Sequence, residues 1–148
     1  MKNPTPYLLI ILLLISSCSL KRSNPLDPFE NSEIEVPNTV TSLVPVNTSA
    51  PGAPDKYVTL QWNWIPPTAY HPSGFKIYRS LAYMSQFELV DTLATFYDSE
   101  DLQITEDYTH TGIMPGDYWY RVSAYVYYGH DQPLEGRACD PVFVRIRP

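Results

Sequence analysis

Cysteine, glycine and positive charge are all scarce in this 148-residue chain. Its two cysteines, Cys18 and Cys139, are too few for the disulfide framework that staples many small secreted domains. Ten Lys and Arg stand against 16 Asp and Glu, for a formal net charge of −6. That balance offers no footprint for a phosphate backbone, so nucleic acid is not an expected partner. No long stretch holds helical periodicity, and glycine numbers only 6. The chemical signatures are missing too. There is no Gly-rich phosphate loop, no GxSxG, no HExxH and no paired CxxC. Without a nucleophile beside a base, paired carboxylates or a metal cage, no catalytic residue, cofactor or metal is assigned, and an enzyme is not expected. Long apolar runs are limited to one, "YLLIILLLI", nine residues from Tyr7 to Ile15. A bilayer needs about 20 residues to be spanned, so this run behind Lys2 suits the apolar region of a signal peptide.

What is abundant points to strands. Tyrosine numbers 12 and proline 15, a composition of ring-rich strands and frequent turns. Several short segments alternate with period two. They are Thr39–Val46, Tyr57–Trp64, Phe75–Ser80, a short edge segment within Gln86–Ala94, Ile104–His110, and the two closing segments around Tyr118–Tyr127 and Val142–Ile146. In "YVTLQWNW", Val58, Leu60, Trp62 and Trp64 share a face. "IPPTAYHPSG" must be a loop, because its prolines cannot donate to a ladder. Seven such strands with no helices between them indicate an antiparallel, immunoglobulin-like β-sandwich over residues 38–148. From Ser19 to Pro37 the chain is polar and rich in Pro, Asn and Glu, which reads as a flexible, partly extended tether.

Two resemblances give these segments a context. "LISSC" after the apolar run resembles the bacterial lipoprotein lipobox, with Ile15, Ser16 and Ser17 before an acceptor Cys18. The resemblance implies a signal peptide over residues 1–17 and lipidation of Cys18. It further implies a membrane partner through that lipid anchor, in the cell envelope and by preference at the outer membrane, on its periplasmic or outer surface. Cys139 then has no partner for a disulfide and reads as a small buried hydrophobe. The body resembles a fibronectin type III domain. Trp62 in "LQW", the run "GFKIYRS", the segment "GIMPGDYWYRVSAY" and the closing "VFVRI" carry the match, in order. It implies that Tyr118 is a tyrosine corner, its hydroxyl bonded back to backbone near Ile113. It also implies a core of Trp62, Phe75, Ile77, Tyr118, Tyr120 and Val122, with Ala124 and Val126.

The stretch "PGDYWYRVSAYVYYG", Pro115–Gly129, has rings at odd and even positions alike. With its even set turned inward, Trp119, Arg121, Ser123, Tyr125 and Tyr127 face out. In such a fold the third and sixth strands are neighbours, so Lys76 and Tyr78 join that surface. Lys76, Tyr78, Trp119, Arg121 and Tyr125 form the candidate binding patch. One reading is cross-strand packing of rings under cationic stems. The other is recognition of an envelope protein or a glycan, since Trp, Tyr and Arg dominate binding hot spots. A structural subunit docking by its sheet edge is a third expectation. Asp98, Glu100, Asp101, Glu106 and Asp107 are an acidic cluster without the turn glycine and closing glutamate of a calcium loop. His71, His130 and Asp131 fall in loops at one end of the sandwich. There a weak metal site and ordinary solvated histidines are the two alternatives.

Overall fold

A computed structural model of the chain describes residues 24–98, 100–129 and 132–148. The signal segment and Cys18 lie outside the described residues, as do His130 and Asp131. Eight strands follow one another: β1 (Thr41–Thr48), β2 (Tyr57–Trp64), β3 (Ser73–Ser80), β4 (Glu88–Thr95), β5 (Ile104–Thr111), β6 (Gly116–Val126), β7 (Leu134–Glu135) and β8 (Val142–Ile146). They form two antiparallel sheets, β1-β2-β5 and β4-β3-β6, with β7 and β8 both paired to the outer side of β6. The described body is an all-β sandwich.

The alternation in the sequence decides which side of each strand is dry. Val58, Leu60, Trp62 and Trp64 are all buried on β2, and Phe75 and Ile77 on β3. β6 contributes Tyr118, Tyr120, Val122, Ala124 and Val126, and β8 adds Val144 and Ile146 to the same cluster. The two sheets meet through edge-to-face rings. Trp62 and Trp64 stand 5.2 Å and 5.4 Å from Phe75, at interplanar angles of 74° and 85°. Each such pair contributes about 0.5–1.5 kcal/mol beyond the area it buries. The Trp64 indole donates to the Asn38 carbonyl at 3.0 Å, which satisfies the one polar atom of a buried ring.

The chain changes sheets between β5 and β6 over four residues. Gly112, at φ 68°, takes the left-handed conformation that the turn needs. Ile113 then plugs the core, and the Tyr118 hydroxyl donates to the Met114 carbonyl at 2.9 Å. That bond closes the loop onto the strand it leads into.

Two features differ from the sequence expectation. Seven strands become eight because the last is interrupted. Gly136 N–H donates to the Ala124 carbonyl and Cys139 N–H to the Val122 carbonyl, both at 2.9 Å. Three residues thus run against two, a bulge that parts β7 from β8. The tether also ends earlier than its composition suggests. Ile34 and Pro37 are buried, and a side chain at Gly136 would collide with the Pro37 carbonyl. Glu35 is held twice over: its carboxylate accepts from Thr68, and its backbone exchanges hydrogen bonds with the Tyr128 hydroxyl. Apolar contact at Ile34 and Pro37 outweighs the polar composition around them, so the chain is seated on the body from Ile34 onward.

Candidate functional site

The outer face of the β4-β3-β6 sheet is built by register. Tyr78 pairs with Leu89 on one side and Arg121 on the other, and Lys76 with Thr92 and Ser123. Cross-strand partners share a face, so Lys76, Tyr78, Trp119 and Arg121 come together on it. What they do there divides the patch into two parts.

At one end the patch is closed by a carboxylate. Glu135, on the two-residue β7, accepts three hydrogen bonds: from Lys76 Nζ, Tyr78 OH and Ser123 Oγ, each at 2.6 Å. Burial pushes the Glu135 carboxyl up, but the bonds from Lys76, Ser123 and Tyr78 outweigh it and hold the group below its ordinary value. The Tyr78 hydroxyl is pushed up to about 12 by burial and by the Glu135 charge beside it. Lys76 is therefore a buttress, bonded to protein rather than offered to a ligand. Glu135 drew no attention in the sequence, since neither its spacing nor its surroundings mark it as a partner of the third strand.

Tyr125 corrects the expectation outright. It is only 6% exposed. Its ring lies across Gly74 of the neighbouring strand, where a Cβ would stand 2.5 Å from the ring's Cζ. The hydroxyl reaches past β3 to donate to the Leu93 carbonyl of β4 at 3.1 Å. A glycine opposite a tyrosine lets the ring lie flat instead of standing into solvent. Tyr125 is sheet packing and leaves the binding patch.

At the other end the patch grows. Tyr83, from the β3–β4 loop, meets the Trp119 ring edge-on at 4.9 Å, and Phe143 of β8 meets it at 5.2 Å. Leu81 (75% exposed) and Met84 (89%) lie on the same β3–β4 loop as Tyr83, and Leu89 (54%) lies across from Tyr78 on β4. The Arg121 guanidinium sits 4.3 Å from the Phe87 ring centroid and 5.6 Å from that of Tyr78. Its Nε is buried and has no hydrogen-bond acceptor among the described residues, so the cation is held by ring faces. An apolar, ring-rich surface with a desolvated arginine is what binding hot spots are made of. Tyr83, Phe87 and Phe143 are absent from the sequence-level patch because they come from a loop and a separate strand. The apolar residues of "LAYMSQF" between two strands are the signal that could have found Tyr83 and Phe87.

A second polar group lies between the sheets. β5 turns Glu106, Tyr108 and His110 inward, where a sandwich normally places aliphatic side chains. His110 Nδ1 is 2.8 Å from the Tyr120 hydroxyl, and Glu106 accepts from Thr95 Oγ1. Burial, and then the Arg79 charge, push His110 below its ordinary value, while Asp91 opposes them. The Tyr108 hydroxyl is raised to about 12 by burial and by Asp91. Burial also pushes the Tyr120 hydroxyl up, so it stays protonated as the hydrogen-bond partner of His110.

The remaining candidates do not assemble. Among the described residues no three His, Cys, Asp or Glu side chains converge as metal ligands. His71 stacks on Tyr128 at 4.5 Å, and its expected companions lie outside the described residues. Cys139 is half-buried against the core, its sulfur accepts from Val122 N–H, and burial pushes its thiol up. That is the opposite of what a reactive thiolate needs. No protein-family model matches the chain, and no curated protein matches it in sequence.

Proposed function

We propose that this chain is a lipoprotein, anchored at Cys18 in the cell envelope, that presents a non-catalytic fibronectin type III-like module to an envelope protein. Three things support the module assignment: the two-sheet antiparallel body, the adjacency of β3 and β6, and the Tyr118–Met114 bond at the sheet crossover. The observation that carries the binding reading is the Trp119 cluster, with Tyr83 and Phe143 against the indole and Leu81 and Met84 exposed on the loop that carries Tyr83. A protein surface suits this cluster better than a glycan. Sugar stacking needs an open ring face ringed by hydrogen-bonding groups, whereas Trp119 has rings on two sides. Docking by strand addition at β1 is disfavoured, because Pro45 and two register shifts interrupt that edge.

The test is affinity capture of the membrane-extracted full chain from its own cells, with cross-linking, for wild type and for Trp119→Ala plus Tyr83→Ala. A specific partner whose recovery falls about tenfold or more in the double variant supports the reading. Recovery unchanged by the substitutions overturns it, and a glycan array positive only for the wild type would move the ligand to the sugar class.

A further inference from the structure

The sandwich has two ends, and the chain enters at only one of them. The segment that leads in from Asn24, the β2–β3 loop, the β4–β5 loop and the loop after β6 all gather there. Glu35 bonds to Thr68 and Tyr128, Asn38 Nδ2 donates to the Ile65 carbonyl, and Tyr97 bonds to His71 and Ala69. This entry end is rich in outward apolar side chains. Phe29 is 100% exposed, Leu102 87%, Phe96 83%, and Ile65 and Tyr70 each 52%. Ile65 and Tyr70 lie on the β2–β3 loop, Phe96 and Leu102 on the β4–β5 loop, and Phe29 on the segment that leads in. The Tyr97 hydroxyl ties the loop that carries Phe96 to the loop that carries Tyr70.

We infer that this end is a membrane-contacting surface whose exposed side chains, Phe96, Leu102, Ile65 and Phe29, dip into the interfacial layer of the bilayer that holds the chain. The inference rests on the anchoring proposed above. Five residues separate Cys18 from Asn24, a reach of about 20 Å at full extension. From Asn24 to Ile34 the chain folds into successive turns, with Asp27, Glu30, Asn31 and Ile34 all closing local hydrogen bonds. The link is therefore short, and it is fastened to the body at Glu35. Whatever holds the N-terminus in a membrane brings this end, and not the Trp119 end, to the lipid. Individually such side chains bind weakly, but a tether raises their local concentration at the surface and makes a weak contact persistent. The acidic residues Glu33, Glu35, Asp98 and Asp101 share this end, while Lys21 and Arg22 precede it in the link, so the contact rests on the apolar side chains and zwitterionic lipid is the fitting surface.

The experiment uses the full chain, purified from bacterial membranes and reconstituted in phosphatidylcholine vesicles with bromine-labelled acyl chains. Phe96→Trp and Met114→Trp place a reporter at the entry end and at the opposite end, both at strongly exposed positions. The added emission at position 96 is expected to be quenched several-fold more than that at 114. Protein that floats with vesicles while both reporters escape quenching overturns this inference and leaves the anchor intact. Protein that fails to float overturns both readings. Flotation lost in Cys18→Ser identifies the anchoring atom separately.

Discussion

Glu135 offers the most direct test of how the outer sheet face is held. Removing its carboxylate by Glu135→Ala strips Lys76, Tyr78 and Ser123 of a shared acceptor in one step. Hydrogen bonds to a charged group contribute about 1.5–3 kcal/mol net each when well buried, but these are not independent. Lys76 and Glu135 keep 25% and 31% of their side-chain surface, so solvent screens the ion pair and its share is small. Ser123 is fully buried, and an orphaned hydroxyl there costs about 1–3 kcal/mol. The sum points to a loss of about 2–4 kcal/mol for Glu135→Ala, and about half that for Glu135→Gln, which keeps an acceptor. For a domain of this size, that is a fall in Tm of roughly 8–16 °C. Because the folded carboxyl is held below its unfolded value, its stabilisation is fully present above the unfolded pKa, near pH 4.3, and is lost as pH falls through the folded value. Urea unfolding followed by tryptophan emission at pH 7 and pH 3.5 measures both. The gap between wild type and Glu135→Gln should be narrower at the lower pH. A Glu135→Ala loss under about 0.5 kcal/mol at pH 7, or a gap independent of pH, would refute the account. A Glu135→Ala/Ser123→Ala cycle should show strong non-additivity, since both changes remove the same bond.

Two further outcomes can be checked. Gly74→Ala should cost about 3 kcal/mol or more, because the new Cβ meets the Leu93 carbonyl and the Tyr125 ring end and one strand must shift. Near-UV circular dichroism and urea midpoints read this, and Gly74→Ala in a Tyr125→Ala background should cost less than in wild type. His110 faces Arg79 of β3, Asp91 of β4, Tyr108 of its own strand and Tyr120 of β6, with its folded pKa depressed by burial and by Arg79. The folded state therefore binds the proton less well than the unfolded chain. Stability should decline as pH falls below about 6.5, the unfolded value, and level off below the folded value. His110→Phe should flatten that decline between pH 7 and pH 5.5 in urea titrations. An unchanged slope would remove His110 from the explanation.

Much of the architecture is legible along the chain, and the reason is local. A strand shows alternate sides to alternate environments, so "YVTLQWNW" announces its buried face without knowing its neighbours. The prolines of "IPPTAYHP" and the glycine of "TGIMPG" mark where ladders must stop. Period two alone gives the dry side of the second and third strands, with Trp62, Phe75 and Ile77. In the ring-rich sixth strand both parities look alike, and it is the fibronectin type III resemblance that turns Tyr120 and Val122 inward and leaves Trp119 and Arg121 outward.

What an outward residue then meets is not local. Tyr125 and Trp119 alternate identically in the sequence, but one lies opposite Gly74 and is covered while the other lies opposite Ser80 and gathers Tyr83 and Phe143. Register across strands set that difference, and register pairs residues dozens of positions apart. In the same way Glu135 became the keystone of the sheet only because a two-residue strand brought it beside β6, and Ile34 joined the body only because Gly136 left room for Pro37. Period two marked the dry side of strands such as β2 and β3. Only the paired sheets decided which of the wet side chains would be free, because freedom depends on the neighbour across the ladder.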